Sequence, residues 1–271
     1  MIDTQVLVPE HRELLSDPVT RDLILTDNTP IPAAEDREGY YGDRHIEYWL
    51  SGRLDWLKLR NILASTPRLK CNEELRFRYL DMGGSTGRVA RHAARDQDVE
   101  CWLSDINVNW IDWLDENFAY PLHFYQSRLL PNIPLEDSSL SLISAFSVFT
   151  HLDCDETQWL LEMKRVLSPG GMLYITTLDS NVWDTLKSPD WEWLRKSISR
   201  GNDDERLEQL VQKPMQGDRF VWEYSNAEAY NINVFLSRDY IERRWSRFFE
   251  IVSYQPFGHG YQTAITLRKR L

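Results

Sequence analysis

Cysteine is scarce: Cys71, Cys101 and Cys154 are odd in number, far apart and in no CxxC spacing. That excludes a disulfide framework, offers no zinc-ligand pattern and fits a reducing, cytoplasmic setting. Long apolar runs are missing too. No uncharged stretch approaches the ~20 residues of a membrane span, and the first thirty residues lack the apolar core of a secretion signal, so a soluble protein with no membrane partner is expected. Basic charge is in deficit. A formal net charge of −11 leaves no general attraction for a phosphate backbone, and nucleic acid is not an expected partner. The acidic run GNDDERLE reads as a solvated face rather than a ligand cluster, so no metal is expected.

What is present is an ordinary globular composition, 42% hydrophobic and 27% charged over 271 residues. This is enough for one catalytic core carrying an added lid. Eleven tryptophans are the exception, and they imply large flat surfaces in a core or a pocket.

Residues 1–40 hold four prolines and no sustained period, but HIEYWLSGRLDWLKLRNILAST reads as an amphipathic helix. From Leu75 the pattern alternates: RFRYLDM, GRVARHAARD, VECWLSD, NWIDWLDENFA, LHFYQSR, then LSLISAFSV, ETQWLLEMKRVL, an SPGG turn and MLYITTL. Strands separated by helices in this way predict a parallel sheet with crossover helices. Regularity lapses after Asp179, over about 180–229, where charge, Trp and helix formers suggest an inserted lid. The end returns to a helix opened by Ser237 and two strands separated by Gly258 and Gly260, a closing antiparallel hairpin. The expected class is α/β: a seven-stranded, mostly parallel sheet, with a helical extension over 1–70 and a core over 71–271.

The segment YLDMGGSTGRVARHAA places Gly83, Gly84 and Gly87 directly between a strand and a helix, where bare backbone can approach a ligand. A ligand-free tight turn would use the same glycines. No Lys-Ser/Thr pair makes a phosphate-cradling Walker loop, and Asp81 ends the strand, where a carboxylate suits an ammonium group. Asp105 closes the second strand at about the 20-residue separation at which an acid receives both ribose hydroxyls. Ile106 beside it can floor an adenine, although Asp105 taken alone reads equally as a helix N-cap.

On these residues the chain resembles the class I S-adenosylmethionine-dependent methyltransferases, over roughly Leu75 to Lys269. Further similarity lies in DINVNWIDWLDEN, IPLEDSSLSLISAFSVFTHL and WLLEMKRVLSPGGMLYITT. SVFTHL and RVLSPGG resemble the branch associated with sugar and polysaccharide biosynthesis. The resemblance implies a Rossmann-like fold and S-adenosylmethionine as cofactor. It places Asp81 toward the methionine amino group, Gly83, Gly84, Ser85 and Gly87 under the methionine and ribose, and Arg88 at the helix start. Ser147 and Val148 border the methionyl part, and Phe149 faces the acceptor. Two positions depart from the family pattern: Ser85 stands where a glycine is usual, and Leu140-Ser141 where Phe-Asp is usual.

Methyl transfer is an in-line displacement, so alignment and exclusion of water matter more than covalent help from the protein. A hydroxyl acceptor needs a base within hydrogen-bond reach, and His151 is the candidate, with a loop-holding histidine as its structural counterpart. A carboxylic acid acceptor is already ionised at neutral pH and needs none. Among the lid aromatics, Trp183, Trp222 and Tyr224 are candidates to contact the acceptor, while the spacing of Trp191 and Trp193 places them on different helical faces. Other classes share the loop and the ribose acid: a nicotinamide-dependent oxidoreductase, or a non-catalytic subunit that only binds the cofactor.

Overall fold

The computed structural model describes residues 7–71, 74–200, 203–223 and 231–271. The chain divides into two compact units, Met1–Ser127 and Arg128–Leu271.

The first unit opens with helices α1 (Pro9–Ser16) and α2 (Pro18–Leu25), each started by proline, whose missing N–H costs nothing in a first turn. Asp17 caps α2 through the amides of Val19 and Thr20. The long helix α3 (His45–Leu63) follows the expected amphipathic stretch. Strand β1 (Leu69–Cys71) runs antiparallel to β2 (Glu74–Met82). Beyond β2 come α4 (Ala90–Ala93), β3 (Val99–Asp105), α5 (Val108–Asn117) and β4 (His123–Gln126). Strands β2, β3 and β4 are parallel, with Met82 beside Ser104 and Asp105 beside Gln126. Parallel register brings the loops after β2 and β3 to one end of the sheet, which is where such sheets bind ligands.

The amino-terminal helices are bound into this unit. Asp27 accepts the Trp49 indole N–H at 2.6 Å and the Tyr120 hydroxyl at 3.0 Å, and lies 3.5 Å from the buried guanidinium of Arg91. Leu7, Trp49 and Leu50 form a buried cluster with Leu14, Leu15, Leu23 and Ile24 packed on it. Each fully buried side chain of this size contributes roughly 1.5–3 kcal/mol.

The second unit contains β5 (Leu140–Ala145), α6 (Glu156–Val166), β6 (Leu167–Asp179), α7 (Ser180–Thr185), α8 (Glu192–Ser199) and α9 (Asp204–Val211). It continues through β7 (Arg219–Glu223), β8 (Ile232–Leu236), α10 (Arg238–Trp245), β9 (Glu250–His259) and β10 (Gln262–Arg268). β5 and β6 are parallel, and β10 is antiparallel to both β6 and β9, which is the expected closing hairpin. The SPGG segment is not a turn. It lies inside β6 as a bulge, where Gly170 takes φ +77° and a side chain at Gly171 would meet the Ser168 carbonyl at 2.8 Å.

Trp183, Leu194, Ile198, Leu207 and Trp222 are buried together in one cluster with Leu178 of β6 and Phe235 of β8. Trp183 donates its indole N–H to the Lys213 carbonyl at 2.9 Å. Elsewhere in the unit Phe149 packs edge-on against Trp245. Glu156 is buried beside Trp245, and accepts from its indole N–H and from the Tyr240 hydroxyl. Among the described residues no helix is long and apolar enough to cross a membrane.

Candidate functional site

The loop after β2 is built on left-handed backbone: Gly83 at φ +70°, Ser85 at +50° and Gly87 at +79°. Ser85 therefore takes a conformation favoured by glycine, at a cost of about 1 kcal/mol, and the loop keeps its shape despite the extra Cβ. Side chains are excluded at its neighbours, since a Cβ on Gly84 would lie 2.6 Å from Leu103 and one on Gly87 2.7 Å from Phe118. Four of the loop amides are committed to protein acceptors. Gly83 and Gly84 both donate to the Ser104 carbonyl, Gly87 donates to that of Gly84, and Ser85 donates to the Asp105 carboxylate at 2.8 Å.

Asp105 is buried, with one oxygen on the Ser85 amide and the other on the Asn107 amide at 3.0 Å. A carboxylate has about four acceptor sites, so capacity for a ribose hydroxyl is left beside the amide bonds. Burial pushes its carboxyl up to about 6, against the pull of the Asn107, Ser85 and Ile106 amides. The ionised form is the acceptor, so affinity for S-adenosylhomocysteine is expected to hold above pH 6 and to weaken as pH falls through it. Apo stability runs the other way, because a raised carboxyl value favours the protonated fold and that contribution is lost as pH rises through about 6. Asp105→Asn should flatten both profiles in calorimetric titration and thermal unfolding. A wild-type affinity independent of pH between 5 and 8 would discount Asp105 as the ribose acceptor.

Asp81 is likewise buried, its carboxylate 3.1 Å from where a Cβ on Gly84 would stand. Ile106 is half-buried, and its carbonyl accepts from Gln126. The Arg88 side chain is engaged with α3. It pairs with Asp55 of α3 at 2.8 Å, donates to Ser51 and lies over the Tyr40 ring, so its side chain forms a bracket between the loop and α3. Gly52 completes that bracket, since a Cβ there would fall on the Arg88 carbonyl oxygen and lie 2.9 Å from its carbon. The helix expected from Gly87 onward is one turn, Ala90–Ala93. A positive helix end is therefore no part of this cradle.

In the second unit Ser147 has φ +60°, its amide donating to Thr176 at 2.8 Å and its hydroxyl meeting Gln262. The Val148 carbonyl accepts the His151 amide at 3.0 Å. His151 places Nδ1 2.6 Å from the Ile232 carbonyl. A carbonyl only accepts, so Nδ1 carries the hydrogen and Nε2 of the neutral ring carries the lone pair. Burial, and after it the charge of Arg200, holds this imidazole below its ordinary value against the Ile232 carbonyl.

Ser147, His151, Arg200, Asn233, Tyr261 and Gln262 line a cavity of about 90 Å³. Its lining is mostly polar. Arg200, Asn233, Tyr261 and Gln262 were not anticipated from sequence. The available signal was Asn233, a polar residue amid the apolar strand Ile232–Leu236, now seen donating to the Ile198 carbonyl. Phe149, Trp183 and Trp222 are not in this lining. All three are packed in cores, which corrects the expectation that they face an acceptor. Tyr224 lies outside the described residues. Trp191 and Trp193, expected on different faces, stack at 6.0 Å because Trp191 belongs to a 3-10 turn and Trp193 to the first turn of α8.

Residues 80–175 match the family model described as a methyltransferase domain. A ubiquinone/menaquinone biosynthesis C-methyltransferase UbiE of Laribacter hongkongensis is 36% identical over 121 residues, covering 41% of this chain and 46% of that protein. The UbiE of Chromobacterium violaceum is 27% identical over 162 residues, covering 49% and 64%. The chain thus spans about half to two-thirds of these relatives' lengths. Among solved structures, the 1,6-didemethyltoxoflavin-N1-methyltransferase of Burkholderia thailandensis, with bound 1,6-didemethyltoxoflavin and S-adenosylhomocysteine, is similar. Its TM-score is 0.54 at 12% identity, covering 100% of this chain and 94% of that one, a likeness of fold. Residues 80–175 thus match a methyltransferase domain, about a third of the chain, and the α/β, Rossmann-like architecture around them agrees with that match.

Proposed function

We propose that this chain transfers the methyl group of S-adenosylmethionine to a hydroxyl of a small polar acceptor such as a sugar. The observation that carries the reading is His151. Its Nδ1–H is fixed on the Ile232 carbonyl, its ring is held neutral, and it lines a polar cavity. Bound in the loop between Asp81 and Gly87, the cofactor supplies an electrophilic methyl on a sulfonium. Asp105 accepts the ribose hydroxyls, and Gly84 lets the loop sit close on Leu103 and Asp81. Ser147, Asn233 and Gln262 orient acceptor hydroxyls by donating and accepting hydrogen bonds. His151 Nε2 takes the proton released as the new bond forms.

A dinucleotide ligand fits less well. A pyrophosphate needs free amides, and those of Gly83, Gly84, Ser85 and Gly87 are committed to protein acceptors. Relatives named as quinone-pathway C-methyltransferases support a second reading, methylation of a ring carbon, in which His151 would take the ring proton instead. A carboxylate acceptor, drawn by Arg200, would need no base.

Supplying S-adenosylmethionine labelled with ¹³C in the methyl group, with a panel of sugars, carboxylic acids and quinols as acceptors, separates these readings. The chemical shift of the transferred methyl distinguishes ether, ester and ring-carbon products. An ether is expected. A carbon-bound methyl or a methyl ester would replace this proposal with the corresponding alternative.

A further inference from the structure

Arg37 is 3% exposed, and its Nε and Nη1 have no hydrogen-bond partner. Its remaining nitrogen, Nη2, donates to the Gly42 carbonyl at 2.5 Å and to His45 Nδ1 at 2.9 Å, and its guanidinium lies 4.6 Å from the centre of the Tyr48 ring. Among the described residues no carboxylate pairs with it. An unpaired cation with vacant donors out of water is costly, and such groups persist where a ligand completes them.

The surroundings identify which ligand. The Tyr48 hydroxyl meets the Thr86 hydroxyl at 3.2 Å, and Thr86 belongs to the glycine loop. Tyr40 lies against Arg88 at the end of that loop, and Glu38 is near enough to Asp105 for its charge to be felt there. The segment carrying Arg37, Glu38 and Tyr40 therefore lies along the cradle formed by Gly83 to Gly87 and Asp105. It also lies outside residues 80–175. Of the groups on an adenosyl amino acid, only one is an anion.

We infer that Arg37 binds the carboxylate of the cofactor's methionyl group, so that the amino-terminal segment completes the cofactor site. Its vacant N–H groups would make charge-assisted hydrogen bonds to the carboxylate oxygens. This rests on the cradle holding S-adenosylmethionine.

Isothermal titration with two ligands tests it: S-adenosylhomocysteine, which carries the carboxylate, and 5′-methylthioadenosine, which has the adenosyl thioether without the amino acid. Arg37→Met is expected to weaken S-adenosylhomocysteine about 30-fold and to leave 5′-methylthioadenosine within about twofold. The melting temperature of the free protein should not fall, because an unpaired buried charge has been removed. Arg37→Lys, which keeps a charge in the same place, should recover part of the difference between the ligands. Equal loss for both ligands would make Arg37 structural and overturn the inference, as would no loss for either. If the wild-type chain bound neither ligand, the cofactor reading itself would fall. Should Arg37→Met not fold, Arg37→Lys carries the same comparison.

Discussion

Replacing His151 with alanine is expected to lower turnover on a hydroxyl acceptor by roughly a hundredfold or more while leaving the affinity for S-adenosylhomocysteine unchanged. The Ile232 carbonyl fixes the ring's tautomer, and burial keeps the ring neutral, so wild-type activity should stay level down through the ordinary imidazole range and fall only below it. In the variant that acid limb should disappear along with most of the rate. The stability sign follows from the same lowering. As pH drops below 6.5 the unfolded chain takes up the proton first, and stability contributed by neutral His151 is lost on the acid side. Leaving the Ile232 carbonyl without its donor costs about 1 kcal/mol, too little to unfold the protein at 25 °C. Steady-state rates across pH 5 to 8, with calorimetry on the same samples, check both halves. Undiminished turnover would remove His151 from the chemistry and favour an acceptor that is already ionised.

Gly52→Ala should be the most damaging single-methyl change in the first unit. In an exposed helix the substitution would stabilise by about 1 kcal/mol through propensity. Here the new methyl lands on the Arg88 carbonyl, backbone that no rotamer change can move aside. Either α3 backs away, breaking the Arg88–Asp55 pair, or the loop shifts. We expect a loss of about 3 kcal/mol in urea unfolding with an unchanged m-value, and weaker S-adenosylhomocysteine binding in the folded fraction. A raised melting temperature would show that α3 does not press on the loop.

The legible parts of this chain are those encoded by neighbouring residues. Alternation from Leu75 onward gave the parallel strands, and the position of Asp105 after β3 follows from sequence spacing. The closing hairpin was visible in its two runs and their glycines. Reading failed where the deciding contact is distant. Whether SPGG bends or bulges depends on its pairing with β5. The lid tryptophans are indistinguishable in sequence, but Trp183 finds a carbonyl at Lys213 and a buried cluster, whereas Trp193 stays 56% exposed. The cavity is assembled from positions as far apart as Ser147 and Gln262, separated by 115 residues, and no local pattern joins them. Arg37 was invisible for a related reason: a charged residue in a stretch without period looks solvated until its burial is known.

The inward turn of the loop's amides bears on competition inside a cell. ATP and NAD both offer an adenosine that Asp105 could grip by its ribose, and both are abundant. Each also brings a polyanion that must exchange its water shell for protein donors. With Gly83, Gly84, Ser85 and Gly87 already committed to protein acceptors, those four amides return nothing for that exchange, and phosphorylated adenosines are expected to bind more weakly than an adenosyl amino acid whose single carboxylate Arg37 can meet.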